Sequence, residues 1–171
     1  ILIDGKRVRI NSPRDALRAG IVLVPEDRKR EGLVMLQSMA FNAALPWVRD
    51  WISGPIVHRG RRREIVRRAI DNFAIRLADS EQPVDSLSGG NQQKVVLSKW
   101  LASKSEIFIF DEPTRGIDVE AKASIHDLIR DLTREGVAVI MISSELPEII
   151  GMSDRILVMH EGRIGGELPA E

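Results

Sequence analysis

IFIFDEPTRGID, residues 107–118, is the stretch of sequence that decides the fold. Its four leading residues are apolar and predict a short buried strand, and Asp111 and Glu112 come directly after them. Open α/β sheets bind ligands beyond the carboxyl ends of their strands, so both carboxylates stand where a ligand is expected. A charged strand end without a function is the alternative, and a lone Asp-Glu pair would favour it.

Strands and helices alternate on both sides of this stretch. Downstream, the pattern predicts a helix, a strand, a short helix and a hairpin, over residues 119–134, 137–142, 145–150 and 155–168. Upstream, it predicts a hairpin over residues 1–10, a short helix capped by Ser12, and a strand over residues 21–24. Fully apolar strands that alternate with helices are typical of a parallel sheet, so the sequence predicts an α/β fold.

The middle of the chain has helical patterns and no clear strand. We expect a helix over residues 33–52, interrupted near Pro46, and then a break at residues 53–55. An amphipathic helix follows over residues 61–78, with an apolar face made of Ile65, Val66, Ala69, Ile70, Phe73 and Leu77. The next helix begins near Gly90, and its predicted buried side consists of Val96, Leu97, Trp100 and Leu101. The predicted division of the chain is residues 1–32, residues 33–103 and residues 104–171.

The overall composition excludes several classes of protein. Lys and Arg number 25 and Asp and Glu number 25, so net charge favours neither nucleic acid nor an acidic membrane surface. The sequence has no cysteine, which excludes a disulfide scaffold and a zinc-thiolate site. No apolar run reaches the roughly 20 residues that span a bilayer, and no signal peptide is visible, so a cytosolic location is expected. Because the chain opens with Ile1 inside a predicted strand, we expect it to be a fragment.

A second motif, LSGGNQQK at residues 87–94, opens the helix that follows it. Free N–H groups and the positive end of the helix dipole bind phosphate oxygens at such a helix start. Gly89 and Gly90 let the backbone approach a ligand closely, and the Ser88 hydroxyl adds a donor. An ordinary helix cap is the alternative, and Ser-Gly-Gly alone would favour it.

Four motifs in a fixed order carry a resemblance to a known family. They are PEDRKREGL (residues 25–33), LSGGNQQK (87–94), DEPTRGID (111–118) and ISSELPE (142–148). Over essentially its whole length, the chain resembles the second nucleotide-binding domain of the fused ATP-binding subunits of ribose, galactose and xylose ABC importers. The resemblance implies an incomplete ABC-type P-loop NTPase fold, in which a parallel RecA-like sheet with flanking helices carries an α-helical signature subdomain.

The resemblance also implies a role for residues within the motifs. Asp111 would hold Mg²⁺, and Glu112 would polarise the attacking water. ATP would contact the signature residues and the D-loop, at Ser88, Gly89, Gly90, Asn91 and Asp118. Glu26 stands at the Q-loop position, where the family usually has Gln, and Ser144 stands at the position of the switch His. Both departures agree with the pattern of the second domain in these subunits.

Two ABC domains pair head to tail in this family, and each nucleotide lies between one phosphate-binding loop and the opposite signature. By resemblance, Ser88, Gly89 and Gly90 complete the competent site with a partner domain of the same polypeptide, whereas Asp111 and Glu112 face a weaker site. No G-x-x-x-x-G-K-[ST] string, the loop that cradles the phosphates, occurs in the sequence. We therefore expect this chain alone to bind ATP weakly or not at all, and to hydrolyse none.

The partners that the resemblance implies belong to a sugar importer. The membrane permease is expected to dock near residues 33–41, although core packing explains these apolar residues equally well. The periplasmic sugar-binding protein would act indirectly. The chain would lie on the cytoplasmic side of the membrane as a peripheral subunit.

Two other functions compete with this one. An arginine-rich run would support a soluble ABC ATPase that acts on nucleic acid or ribosomes, namely Arg59, Arg61, Arg62, Arg63, Arg67 and Arg68. A solvated helix start explains the run more simply, and Trp51 is the only nearby aromatic residue that could stack on a base, so no nucleic acid is expected. A binding or regulatory module without hydrolysis is the second alternative.

Overall fold

The secondary structure comes from a computed structural model that describes residues 1–101 and 105–169, without the side chains of Asp50 and Leu101. The predicted burial of Leu101 and the predicted boundary between residues 103 and 104 lie outside the described part. The strands are β1 (Leu2–Ile3), β2 (Lys6–Arg7), β3 (Ile21–Val24), β4 (Ile52–Ser53), β5 (Ile56–Val57), β6 (Ile107–Asp111), β7 (Ala138–Ile142), β8 (Arg155–His160) and β9 (Arg163–Pro169). The α-helices are α1 (Pro13–Arg18), α2 (Met39–Ala44), α3 (Val48–Trp51), α4 (Arg59–Phe73), α5 (Gly89–Leu101), α6 (Val119–Arg134) and α7 (Leu146–Met152).

The central sheet has three parallel strands in the order β3, β6, β7. The register pairs Val24 with Phe110 and Asp111 with Ile142, so all three strands end at one edge of the sheet. Phe108 and Phe110 of β6 are buried, and their rings stack with centroids 5.9 Å apart. The predicted α/β fold with a parallel sheet is confirmed, and the loops at this common edge carry the predicted carboxylates.

Helices α2, α4 and α5 surround a second part of the core. Their buried apolar residues include Met39, Ala40, Ala43, Ala44, Val66, Ala69, Phe73, Val95, Val96 and Leu97. The buried faces predicted for α4 and α5 are confirmed at Val66, Ala69, Phe73, Val96 and Leu97, whereas Ile65, Ile70 and Trp100 are half-buried. None of the described helices combines the length and the apolar character needed to cross a membrane.

The helix predicted over residues 33–52 is wrong at its start. Residues 33–38 form a loop, and α2 begins only at Met39. Ser38 is the N-cap of α2, because its hydroxyl oxygen accepts a hydrogen bond from the Phe41 N–H at 3.0 Å. The buried Asn42 holds the loop in place. Its side chain accepts from the Val34 N–H at 2.8 Å and donates to the carbonyls of Val34 and Ser38, each at 3.1 Å. These side-chain bonds to the backbone compete with helix formation, and apolar periodicity does not reveal them.

The helix predicted over residues 61–78 also ends earlier than expected. Ala74 adopts a left-handed conformation with φ +45°, and the Ile75 N–H donates to the Ile70 carbonyl at 3.1 Å, which closes α4 in the manner of a Schellman cap. Leu77 therefore lies outside the helix, although it still packs against the core. The predicted break at residues 53–55 is the turn of a small hairpin, β4–β5, with Gly54 at φ +57°.

The two terminal hairpins follow the sequence prediction, although β1 and β2 are shorter than the ten residues expected. Asp4 and Gly5 connect β1 to β2, and Glu161 and Gly162 connect β8 to β9, all four with positive φ. Two-residue turns of this kind match the twist of antiparallel strands.

Candidate functional site

Three loops converge where the strands of the central sheet end. Glu26 follows β3, Asp111 and Glu112 close β6, and Ser144 follows β7. Glu112 has a left-handed backbone with φ +46°, and its N–H donates to the Ile142 carbonyl at 2.9 Å. Its carboxylate accepts from the Ser144 N–H at 2.8 Å. The loop after β7 thus holds the Glu112 side chain, and a non-glycine residue with this backbone indicates local strain of the kind found at functional sites.

Asp111 fits a magnesium ion, although only in part. Mg²⁺ is typically bound in proteins by one or two carboxylates together with phosphate oxygens and water. Asp111 is half-buried, and within the described residues no hydrogen bond engages its carboxylate. The described part of the chain contains no cluster of three or more metal-binding side chains. Asp111 therefore suits a metal that draws its remaining ligands from a nucleotide and water.

The signature turn begins α5 with a side-chain cap. Ser88 Oγ accepts from the Asn91 N–H at 3.4 Å and from the Asn91 side-chain amide at 3.1 Å. The Asn91 side-chain carbonyl in turn accepts from the Arg76 N–H at 2.9 Å, which ties the end of α4 to the start of α5. The hydroxyl hydrogen of Ser88 has no acceptor among the described residues, so it can donate to a ligand.

Both signature glycines are closely packed within this chain. A Cβ atom on Gly90 would lie 2.6 Å from Cβ of Ala121 in α6, closer than real Cβ contacts. A Cβ atom on Gly89 would lie 3.0 Å from Nη2 of Arg28 and 3.5 Å from the Gly116 carbonyl oxygen. Gly90 is therefore needed for packing against α6, whereas the nearest neighbour of Gly89 is the flexible end of the Arg28 side chain.

Charged residues after β3 hold the D-loop, which runs from Thr114 to Asp118. The Glu26 carboxylate pairs with the Arg115 guanidinium. Arg28 donates to the carbonyls of Arg115 at 3.1 Å and Gly116 at 3.4 Å. Glu26 was expected at a catalytic position, but in this structure its charge is directed to Arg115.

Asp118, expected to contact ATP, caps a helix. Its carboxylate accepts from the Ala121 N–H at 2.9 Å and so starts α6. The side chain is exposed, which leaves its second oxygen open to solvent. Capping and ligand contact are compatible, because a carboxylate can accept several hydrogen bonds.

Sequence reasoning missed a buried carboxylate behind the site. Glu148 of α7 has a side chain only 3% exposed, and it accepts from Thr114 Oγ1 at 2.9 Å and from Ser143 Oγ at 2.5 Å. Nε2 of His126 lies 2.6 Å from the same carboxylate. Burial raises the pKa of Glu148, but the hydrogen bonds from Ser143, His126 and Thr114 outweigh burial and hold the pKa below its ordinary value of 4.5. The ISSELPE motif contains Glu148, yet nothing in its spacing distinguishes this glutamate from the exposed Glu145.

The fold matches solved ATP-binding cassettes. An ATP-binding cassette in a dimeric post-hydrolysis state with ADP and Pi aligns with a TM-score of 0.77 at 20% identity, over 99% of this chain and 72% of that one. A nucleotide-free cassette from an ABC transporter aligns with a TM-score of 0.78 at 19% identity, over 99% of this chain and 69% of that one. The fold is thus that of an ATP-binding cassette.

The family follows from the sequence comparisons. The profile of the family described as ABC transporter matches residues 1–115, about two thirds of the sequence, and the chain belongs to that family. An arabinose import ATP-binding protein of Azospirillum brasilense is 52% identical over 97% of this chain and 32% of its own length. A ribose import ATP-binding protein of Geobacillus kaustophilus is 48% identical over 96% of this chain and 33% of its own length. The chain therefore spans about a third of the length of these relatives.

Proposed function

We propose that the intact protein is the ATP-binding and hydrolysing subunit of a sugar importer, and that this chain belongs to its second nucleotide-binding domain. Sequence identity carries the proposal, because relatives named as import ATP-binding proteins for arabinose and ribose are 48% to 52% identical over nearly the whole chain. The fold alone would not identify the protein as part of a transporter, since one fold hosts many functions.

The residues of the signature turn would contact ATP across the interface with a partner ABC domain. The hydroxyl of Ser88 and the N–H groups of Gly89 and Gly90 are donors of the kind that bind phosphate at a helix start, and Asn91, whose own N–H donates to Ser88 Oγ, stands beside them. The exposed Asp118 lies in the neighbouring D-loop and would contact the nucleotide from there. A bound Mg²⁺ ion would neutralise charge on the phosphates, and Asp111 would hold it.

The site that Asp111 and Glu112 face would be the weaker of two. One oxygen of Glu112 accepts from the Ser144 N–H at 2.8 Å, so the other oxygen is the one that remains to polarise an attacking water. The Glu26 carboxylate is likewise paired, with Arg115. At the position where a switch His would reach a phosphate, the chain has Ser144, whose backbone N–H donates to Glu112. These contacts support a domain that supplies its signature to the competent site and contributes less at its own.

The partners and location would be those of a sugar importer. The surface after β3 exposes Val34 by 45% and Leu36 by 82%, and this apolar patch would receive a helix of the membrane permease. The subunit would then lie on the cytoplasmic face of the membrane, and the periplasmic sugar-binding protein would act through the permease. The helices within residues 33–103 would form the subdomain between this patch and the signature.

A nucleic-acid function gains no support. The arginine-rich run lies on the first turns of α4, and several of its side chains are paired within the chain. Arg62 pairs with Glu81 at 3.1 Å, and both Arg67 and Arg68 pair with Glu64 at 2.8 Å. These intramolecular pairs make the run a solvated helix face rather than a phosphate-binding surface.

Gly89→Asp in the intact subunit tests the proposed function. The new carboxylate would stand where phosphate is expected, so we expect ATP hydrolysis to fall by about 100-fold or more, the scale of losing a transition-state contact. Folding should survive, because the nearest atom to the added side chain is Nη2 of Arg28, which can pair with it. Gly60→Asp is the matched control, since Gly60 also lies in the first turn of a helix and has open space around it. Full activity in Gly89→Asp would reject the assignment of the signature turn.

A further inference from the structure

The segment after β3 contacts the D-loop and the signature helix at the same time. Arg28 stands at its centre, in a π-helical turn that spans Arg28–Gly32. Its two terminal nitrogens donate to the D-loop carbonyls of Arg115 and Gly116, and Nε donates to the buried Gln92 side chain at 3.4 Å. Gln92 in turn donates to the carbonyls of Val84 and Leu87 at 3.2 and 3.0 Å, so Arg28 is linked to the loop that precedes the signature.

We propose that Glu26 and Arg28 form a clamp that positions the D-loop against the signature turn. The clamp consists of the Glu26–Arg115 ion pair and the three hydrogen bonds of Arg28. It rests on the proposed function, since it positions groups for ATP turnover and itself touches no nucleotide.

The position of the charges explains why an acid suits residue 26. Arg115 points its guanidinium from the D-loop towards the end of β3, where a glutamate pairs with it and a neutral glutamine would not. The pair is solvent-exposed, with the Arg115 side chain 67% and the Glu26 side chain 40% accessible. Exposed ion pairs add little to folding stability, so the pair is better explained by positioning than by stabilisation.

The clamp continues into the middle of α5. A Cβ atom on Gly32 would lie 3.0 Å from Cγ2 of Val96, so the π-helical turn packs directly on the helix. The buried Lys99 donates to the Gly32 carbonyl, where a cation also meets the negative end of the turn. The turn and α5 are therefore held as one unit, and the exposed patch at Val34 and Leu36 follows directly along the chain.

A charge swap in the intact subunit tests the clamp. Glu26→Arg and Arg115→Glu each place like charges together, and we expect each to lower kcat for ATP about 5- to 10-fold, within the range of coupling between contacting residues. The double variant restores the pair in the opposite sense, and its kcat should return to within about 3-fold of wild type. The same swap at Arg155 and Glu167 is the matched control, because that pair is similarly exposed, at 67% and 55%, and lies on the β8–β9 hairpin.

The outcomes separate the clamp from the proposed function. Single variants with wild-type kcat, or a double variant as slow as the product of the singles, would overturn the clamp. If the wild-type subunit hydrolyses no ATP, the proposed function fails, and a cross-link then decides the clamp. Residues 1–171 contain no cysteine, so two introduced thiols are the only ones in this part of the chain. A short bismaleimide should join the thiols of the double variant Glu26→Cys, Arg115→Cys. It should also join those of the control double variant Arg155→Cys, Glu167→Cys. Cross-linking of the control pair alone would overturn the clamp.

Discussion

At the scale of single residues, Glu148 connects two loops of the candidate site. Its two carboxylate oxygens hold Thr114, which follows the β6 carboxylates, and Ser143, which precedes the amide bound to Glu112. An ionised carboxylate only accepts hydrogen bonds, so Thr114, Ser143 and His126 all donate to it. Satisfied buried networks of this kind fix one arrangement of the groups around them.

Glu148→Gln should weaken this connection with almost no change in shape. The neutral amide replaces one acceptor oxygen by a donor, so all three donors lose a charged acceptor and at least one loses its acceptor altogether, at a cost of about 2 kcal/mol in the free energy of unfolding. Urea unfolding near neutral pH measures this cost. Glu145→Gln is the control, because Glu145 is exposed and pairs with Lys122 on the surface, and its replacement should change stability by less than about 0.5 kcal/mol. An equal effect of the two substitutions would contradict the buried network.

The pH dependence of the stability difference between wild type and Glu148→Gln is a second test of the buried network. The pKa of Glu148 in the folded state lies below its ordinary value of 4.5. The ionised carboxylate therefore stabilises the fold above about pH 4.5, and this stability is lost as the pH falls through the lower pKa of the folded state. The difference in unfolding free energy between wild type and Glu148→Gln should therefore shrink as the pH falls below 4.5. A difference that grows as the pH falls below 4.5 would show that the carboxylate is not the stabilised form.

At the scale of elements, the start of α5 packs against the start of α6. Gly90 allows this approach, because its missing Cβ leaves room for Ala121. The helix that offers the signature and the helix that follows the D-loop therefore meet at two small residues. Such close contact fixes their relative position more tightly than flexible side chains would.

Gly90→Ala should separate these helices. The added methyl group would lie 2.6 Å from Cβ of Ala121, which cannot rotate away, and we expect a loss of about 1 to 2 kcal/mol in the free energy of unfolding after the helical gain of alanine is subtracted. Adding Ala121→Gly should recover part of the loss by removing the clash. Gly151→Ala in α7 is the control with the opposite sign, since open space surrounds Gly151 and alanine favours a helix. Destabilisation that Ala121→Gly does not relieve would rule out this contact as its cause.

Local sequence patterns predicted the elements better than their ends. The strands of the sheet and the faces of α4 and α5 follow from apolar periodicity, which burial itself imposes. The start of α2 was misplaced because Asn42 binds the backbone of the preceding loop, and the end of α4 because Ala74 turns left-handed without a glycine. Both depend on local hydrogen bonds to the backbone, at most eight residues apart, which apolar periodicity does not reveal. The partners of Glu26 and Glu148 were missed for another reason, since they lie 89 and 34 positions away at Arg115 and Thr114.

At the scale of the whole molecule, the proposed function assigns parts of two half-sites to the described residues. The signature turn opens α5, and the carboxylates close β6, yet the sequence contains no phosphate-cradling string of its own. One face of the sheet also exposes Leu23 by 53%, Ile140 by 53% and Ile142 by 48%, and apolar surface of this kind is typical of contact with another part of a protein. Both features suit a domain whose nucleotide sites are completed by other polypeptide segments.

The proposed division of labour between the two half-sites is tested by Glu112→Gln in the intact subunit assembled with the proposed permease. Glutamine keeps the oxygen that accepts from the Ser144 N–H, so the loop after β7 should stay in place while the negative charge disappears. If this domain mainly supplies its signature, ATP hydrolysis should remain within a few-fold of wild type, whereas Gly89→Asp in the same assay should abolish it. A loss of about 100-fold or more in Glu112→Gln would be the scale of a lost transition-state group. Glu112 would then take part in the chemistry, and the two sites would share it.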